Sequence, residues 1–200
     1  MEYRIRRATL ADRAALERLI AESARGLSRS DYSDEQVEAA IASVFGVDTD
    51  LIHDGTYYVA EVDGEPVGCG GWSKRRTLFG GDRFAARDSG YLDAAAEPAK
   101  IRAFFVRPDW ARRGVAGRIL ETCEREAKAE GFRSLELMAT LPGIPFYAAR
   151  GYEGGEQVEY ETADGVKIGF VPMRKDLEQE GIERGQECND PQGAGTSGQE

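Results

Sequence analysis

The sequence predicts an α/β fold, a mixed and mostly antiparallel sheet flanked by helices, on three observations. Helical and strand-like hydrophobic periods alternate along the chain, two short turns containing Asp-Gly mark antiparallel hairpins, and one strand–helix–strand run requires a parallel neighbour. With 200 residues, 41% of them hydrophobic, the chain can bury one sizeable core. We assign that domain to residues 1–177. The segment 178–200 is rich in Gly, Gln and Glu and lacks aromatic residues, so we expect a disordered acidic tail.

The elements follow in order. Residues 3–7 alternate apolar and charged side chains as a half-buried strand does, and Thr9 with Asp12 has the spacing of a capping box that opens a helix on Leu16, Leu19 and Ile20. Ser33 and Gln36 repeat that spacing ahead of Val37, Ala40, Ile41 and Val44, a second helix that Gly46 is expected to end. Residues 57–62 and 66–72 flank Asp63-Gly64-Glu65 and read as a hairpin. Residues 73–98 lose periodicity and form a long connection, expected near a functional surface.

Residues 101–106 are apolar enough for a central strand. A helix over 115–130 follows, with Val115, Ile119, Cys123 and Ala127 on its buried face, Glu121/Arg125 and Glu124/Lys128 as four-residue pairs, and Gly131 as its stop. Residues 134–139 form the next strand, parallel to 101–106 by a right-handed crossover. A short helix over 145–149 and two strands, 157–162 and 166–173, joined by Ala163-Asp164-Gly165 complete the domain.

Composition narrows the function. A net charge of −10 argues against nucleic-acid binding, which needs clustered Lys and Arg, and modestly favours cationic substrates. No apolar run is long enough to span a bilayer and the first residues lack a signal-like core, so no membrane association and a cytoplasmic location are expected. Three scattered cysteines (Cys69, Cys123, Cys188) and the single His53 fit neither a disulfide framework nor a metal site, so no metal is expected. Cys69 and Cys123 read as buried fillers.

The chemistry concentrates where a strand feeds a helix through Arg112-Arg113-Gly114-Val115-Ala116-Gly117. Unpaired backbone N–H groups gather there at the positive end of a helix dipole, Gly114 and Gly117 permit close approach, and Arg112, Arg113 and Arg118 oppose the global charge. Such a geometry is expected to bind anionic phosphates. The P-loop, Gly-x-Gly-x-x-Gly and Gly-x-Ser-x-Gly motifs are all absent, so nucleotide-site and serine-hydrolase readings lack support.

The stretch from Phe105 to Ala116 is similar to the strand, turn and Gln/Arg-x-x-Gly-x-Gly/Ala signature of the GNAT superfamily of acyl-CoA-dependent N-acetyltransferases, with Ala111 in the place of Gln or Arg. Pro145-Phe146-Tyr147-Ala148-Ala149-Arg150-Gly151-Tyr152 resembles the family's second motif at the proper distance. The resemblance spans roughly residues 3–177. It implies a sheet that splays between the fourth and fifth strands and acetyl-CoA as co-substrate. It also implies a diphosphate held by Arg112, Arg113, Gly114, Val115, Ala116 and Gly117, and a pantetheine arm on Phe104, Phe105 and Val106. Thr140 stands where many members carry Asn as a further contact.

The resemblance gives Tyr147 the role of protonating the departing thiolate. A general base is less defined, with Glu97, Glu136 and His53 as candidates, because the strand position where some relatives carry a glutamate holds Arg102 or Ala103 here. Water is the alternative. Trp72, Lys74, Arg75 and Arg76 begin the connection near the family's acceptor pocket. The expected function is acetyl transfer to a primary amine of a small molecule or peptide by direct attack, with a non-catalytic acyl-CoA-binding regulatory module as the rival. A homodimer is left open.

Overall fold

The computed structural model describes residues 2–177; the expected tail, with Cys188, lies outside the described residues. Strands β1 (Arg4–Arg7), β2 (Tyr57–Val62), β3 (Glu65–Ser73), β4 (Ala99–Val106), β5 (Ser134–Thr140), β6 (Glu153–Gly154), β7 (Val158–Glu161) and β8 (Lys167–Asp176) make one eight-stranded sheet. Its order is β1-β2-β3-β4-β5-β8-β6, with β7 also on β8. Every pairing is antiparallel except β4 with β5, the parallel step that the crossover through α4 (Val115–Ala129) imposes.

Side-chain alternation divides the core between the two faces of the sheet. Tyr58, Ala60 and Val67 point to the face covered by α4, whose Val115, Ile119, Cys123 and Ala127 are all buried as the stripe predicts. Tyr57, Val59 and Cys69 point to the opposite face, under α1 (Arg13–Leu27), α2 (Asp34–Ser43) and α3 (Thr49–His53). Both capping boxes form. Thr9 with Asp12 opens a single 3-10 turn leading into α1, and Ser33 with Gln36 opens α2. Asp63 and Gly64, both at positive φ (51° and 84°), make the tight β2–β3 turn, and Gly131 (φ 93°) follows the end of α4.

The structure corrects several local readings. Helix α2 stops at Ser43, before Gly46, whose role is instead close approach: a Cβ on Gly81 would lie 2.8 Å from the Gly46 carbonyl carbon. Asp48 opens the unforeseen α3 by accepting from Asp50 N–H, and His53 is the last residue of that helix. Strand β4 begins two residues earlier than expected and pairs with β5 only through Ala99–Leu135 and Lys100–Glu136. Glu124 also holds Lys175 Nζ at 2.9 Å and the Tyr152 hydroxyl at 3.0 Å. The two-residue strand β6 was not foreseen, and the helix α5 covers Ile144–Ala148.

Candidate functional site

The turn between β4 and α4 is positioned from both faces of the sheet. After β4, Arg107 N–H bonds the Val67 carbonyl (3.0 Å), and residues 108–110 make one 3-10 turn that buries Trp110. Pro108 seats against α1 at Gly26, where a Cβ would meet its Cγ at 2.3 Å. Arg112 (φ 62°) and Gly114 (φ 82°) then reverse the chain, and α4 starts at Val115, whose Cγ1 fills the space a Cβ on Gly68 would need (2.6 Å).

No side chain caps this helix end, so its first-turn N–H groups stand uncapped at the positive end of the dipole. Arg112 and Arg118 are exposed and form no ion pair among the described residues, and Arg113 stacks 5.0 Å over Trp110. A further cation arrives from after α5. The Arg150 guanidinium, bonded to the Phe146 carbonyl (3.0 Å) and stacked 3.9 Å over the Phe146 ring, puts Nη2 only 2.7 Å from where a Cβ of Gly117 would be. The sequence places Arg150 in the second motif but has no signal that it reaches the first.

Beyond Lys100, β4 and β5 diverge. Ala103 adopts φ 56° at a bulge where the β3 register shifts between Cys69 and Gly71, and such a bulge bends the strand. The Phe104 ring lies over Gly70, where a Cβ would meet it at 2.7 Å. The β4 edge facing the gap therefore has no strand partner past Lys100, though Val106 N–H donates to the Ser23 hydroxyl of α1 (3.2 Å). Across the gap, Thr140 ends β5. The buried Tyr32 hydroxyl fixes that corner by accepting from Leu141 N–H (2.9 Å) and donating to the Gly169 carbonyl (2.6 Å).

Tyr147 stands in this gap, packed edge-on against Phe104, Phe146 and Tyr152. Its hydroxyl makes no hydrogen bond within the described residues, and burial raises its pKa, which keeps the phenol protonated. Phe104, Phe105, Thr140 and Tyr147 line one pocket of about 80 Å³ together with Phe45, Met138, Phe170, the 78–81 segment and Arg102. Thus four of the expected site residues converge on the pocket, while Arg112, Arg113, Gly114, Val115, Ala116 and Gly117 gather in the turn above it.

None of the three candidate bases reaches the pocket. Glu97 accepts from Arg76 (2.6 Å) and from Asp93 N–H (2.8 Å), Glu136 pairs with Lys100, and His53 is exposed at the end of α3. The expected acceptor-side residues are likewise committed: Trp72 is core, Lys74 pairs with Glu130, Arg75 with Asp54 and Arg76 with Glu97. Both described cysteines are buried, and burial pushes the Cys69 thiol up to about 12.

What sequence reasoning missed is a buried ion cluster under the pocket. Asp48 is fully buried; Arg87 Nη2 bonds its Oδ1 at 2.8 Å, and Arg102 Nη2 is in ionic contact with its Oδ2 at 2.5 Å. Arg87 also reaches Asp50 Oδ2 (2.7 Å), and Arg102 Nη2 donates to the Gly80 carbonyl (2.5 Å). Only the Arg at a strand position facing the core hinted at it.

The sheet splays in its middle, and an uncapped helix N-terminus stands beside the splay. The chain belongs to the acetyltransferase (GNAT) family, whose model matches residues 15–152. No curated protein matches it in sequence. Among solved structures, a GCN5-related N-acetyltransferase from Rhodopseudomonas palustris is 22% identical with a TM-score of 0.66, over 88% of this chain and 97% of that one. PaiA N-acetyltransferase from Thermoplasma acidophilum, solved with coenzyme A, is 16% identical with a TM-score of 0.59, over 88% and 100%. The Escherichia coli ribosomal-protein-S18-alanine N-acetyltransferase is 15% identical with a TM-score of 0.54, over 91% and 98%. These likenesses concern the fold. Among the described residues, no helix is long and apolar enough to cross a membrane.

Proposed function

We propose that the protein transfers an acetyl group from acetyl-CoA to a primary amine by direct attack. The observation that carries this reading is the meeting, at one splay, of an uncapped helix N-terminus with a protonated, unpartnered tyrosine. The turn fits a diphosphate: its amides are free of a side-chain cap, Gly117 lets the Arg150 guanidinium close onto the turn, and Arg112 and Arg118 add further positive charge. The unpaired β4 edge offers backbone groups to the amides of a pantetheine arm.

Acetyl-CoA, when bound, supplies an activated thioester carbonyl. The neutral amine nitrogen attacks that carbonyl carbon, the C–S bond breaks, and the nitrogen gives up its proton to water, since no carboxylate lines the pocket. Tyr147 donates its phenolic proton to the departing sulfur and regains one from solvent. No enzyme-bound acyl group is needed.

The test is release of free thiol from acetyl-CoA over a panel of primary amines. Turnover with at least one amine supports the reading. Tight CoA binding without thiol release across the panel would replace it with a regulatory acyl-CoA-binding module.

A further inference from the structure

A hydroxyl inside a helix has a usual partner, the carbonyl four residues back. Ser43 in α2 donates to the Ala39 carbonyl (2.6 Å) and Thr122 in α4 to the Arg118 carbonyl (3.0 Å). Ser23, inside α1 and 4% exposed, departs from that pattern. Its hydroxyl accepts from Val106 N–H on β4 at 3.2 Å, and among the described residues it donates to nothing.

That N–H faces the splay. Arg107 N–H turns toward β3 to bond the Val67 carbonyl, so alternation along the strand turns Val106 N–H the opposite way, into the gap where β4 has parted from β5. A half-buried backbone donor on such an edge needs an acceptor, because leaving one unmatched costs more than a matched one gains. Ser23 supplies it from a neighbouring helix.

The same N–H is a donor that the unpaired β4 edge offers to a pantetheine amide. One proton does not serve both acceptors well, and 3.2 Å is already the long end of the range for an N–H···O bond. Ser23 has an inexpensive way to let go. Rotation about its Cα–Cβ bond carries the hydroxyl to the Leu19 carbonyl, four residues back, the arrangement that Ser43 and Thr122 hold in their own helices.

We infer that Ser23 is a positioning residue that exchanges partners with the cofactor, an inference that rests on the acyl-CoA reading above. It holds Val106 N–H, and with it the contact of α1 on β4, until a pantetheine carbonyl accepts from that N–H. The Ser23 hydroxyl then donates to the Leu19 carbonyl. The strand edge is satisfied before and after, and the pantetheine arm has to displace a bond to be seated.

The experiment uses the full chain and compares wild type with Ser23→Ala by calorimetry, titrating CoA and, separately, 3′-phospho-ADP, which is CoA without its pantetheine arm. The variant has no hydroxyl to displace, and its Val106 N–H stands unmatched until the arm arrives. It should bind CoA at least about fivefold tighter than wild type, the lower end of what an unmatched buried donor costs. Its Kd for 3′-phospho-ADP should stay within about twofold, and its denaturant midpoint without either ligand should fall. A residue that only packs α1 against β4 would not raise affinity for the arm alone.

Unchanged CoA affinity in Ser23→Ala overturns the inference while the acyl-CoA reading stands. Weaker CoA binding also overturns it, by making Ser23 a direct cofactor contact. If wild type binds neither compound, the acyl-CoA reading fails and the inference falls with it. Should Ser23→Ala not fold, nuclear magnetic resonance on wild type decides: with CoA labelled with ¹³C at its pantetheine carbonyls, a coupling across the hydrogen bond to the Val106 amide nitrogen supports the exchange, and bound CoA without that coupling overturns it.

Discussion

The two halves of the splayed site are built from different materials. Above the gap, the turn proposed to bind the diphosphate is made of backbone: amides of an uncapped helix, glycines that keep side chains out, and exposed arginines. Below it, the pocket rests on charged side chains brought from distant parts of the chain, Asp48, Arg87 and Arg102, buried against one another with the Gly80 carbonyl accepting from Arg102. A backbone site tolerates changes of side chain nearby, whereas a buried ion cluster is committed to every member. The difference predicts where mutations act on binding and where they act on folding.

The largest expected effect is therefore in the lower half and is on stability. Asp48→Ala leaves Arg102 and Arg87 without their shared carboxylate and removes the cap of α3. Breaking a buried pair from one side costs about 3–5 kcal/mol, to be read by denaturant unfolding. Arg112→Ala, in the upper half, should move the same midpoint by less than about 0.5 kcal/mol. Comparable losses from the two variants would erase the distinction.

Tyr147→Phe comes next and should act on rate alone. The hydroxyl has no partner to lose, so unfolding stability should stay within about 0.5 kcal/mol. The turnover number should fall by about 10²-fold or more, the usual range for a lost proton donor, with the KM for acetyl-CoA nearly unchanged. Wild-type turnover at saturating acetyl-CoA would remove Tyr147 from the chemistry.

These contrasts also explain what could be read without a structure. The capping boxes at Thr9 and Ser33, the Asp63-Gly64 turn and the stripe from Val115 to Ala127 are local patterns whose physics is complete within a few residues, and all four form. The turn at Arg112-Gly117 is legible for the same reason: amide groups, a dipole and a glycine are adjacent in sequence. Arg150 reaches it only because α5 packs beside α4, and Ser23 meets Val106 only because α1 crosses β4. Nothing in the spacing of residues 48, 80, 87 and 102 says that they meet. The 78–81 segment that closes the pocket falls in a stretch without periodicity, where sequence carries least information about conformation.

Gly117→Ala sharpens the comparison from the upper side. The added methyl would sit 2.7 Å from Arg150 Nη2, the flexible end of a long side chain, so the guanidinium swings away and the fold survives. The loss should appear in CoA affinity, about tenfold by calorimetry or ~1.4 kcal/mol, with little change in unfolding. A destabilised protein with unchanged CoA affinity would mean that Gly117 serves packing and not the ligand.

The smallest effect asks whether burial, rather than the number of charges, sets the lower half apart. A second cluster of comparable size lies on β1, where Arg6 bonds both oxygens of Asp12 (2.7 and 2.9 Å) and one oxygen of Glu61 (2.6 Å), with more contact to solvent than Asp48 has. The Arg6 guanidinium and Thr9 hold the Asp12 carboxyl down at about 2, against an ordinary 3.8. Its pKa is depressed in the folded state, so the stabilisation is present above pH ~4 and is lost as pH falls from there through about 2. Asp12→Asn should cost only about 1 kcal/mol at neutral pH, as partly exposed pairs do. It should also flatten the acid limb of the stability curve between those two values. A neutral-pH loss as large as that of Asp48→Ala would show that ion-pair count governs both regions and that the lower half owes nothing special to burial.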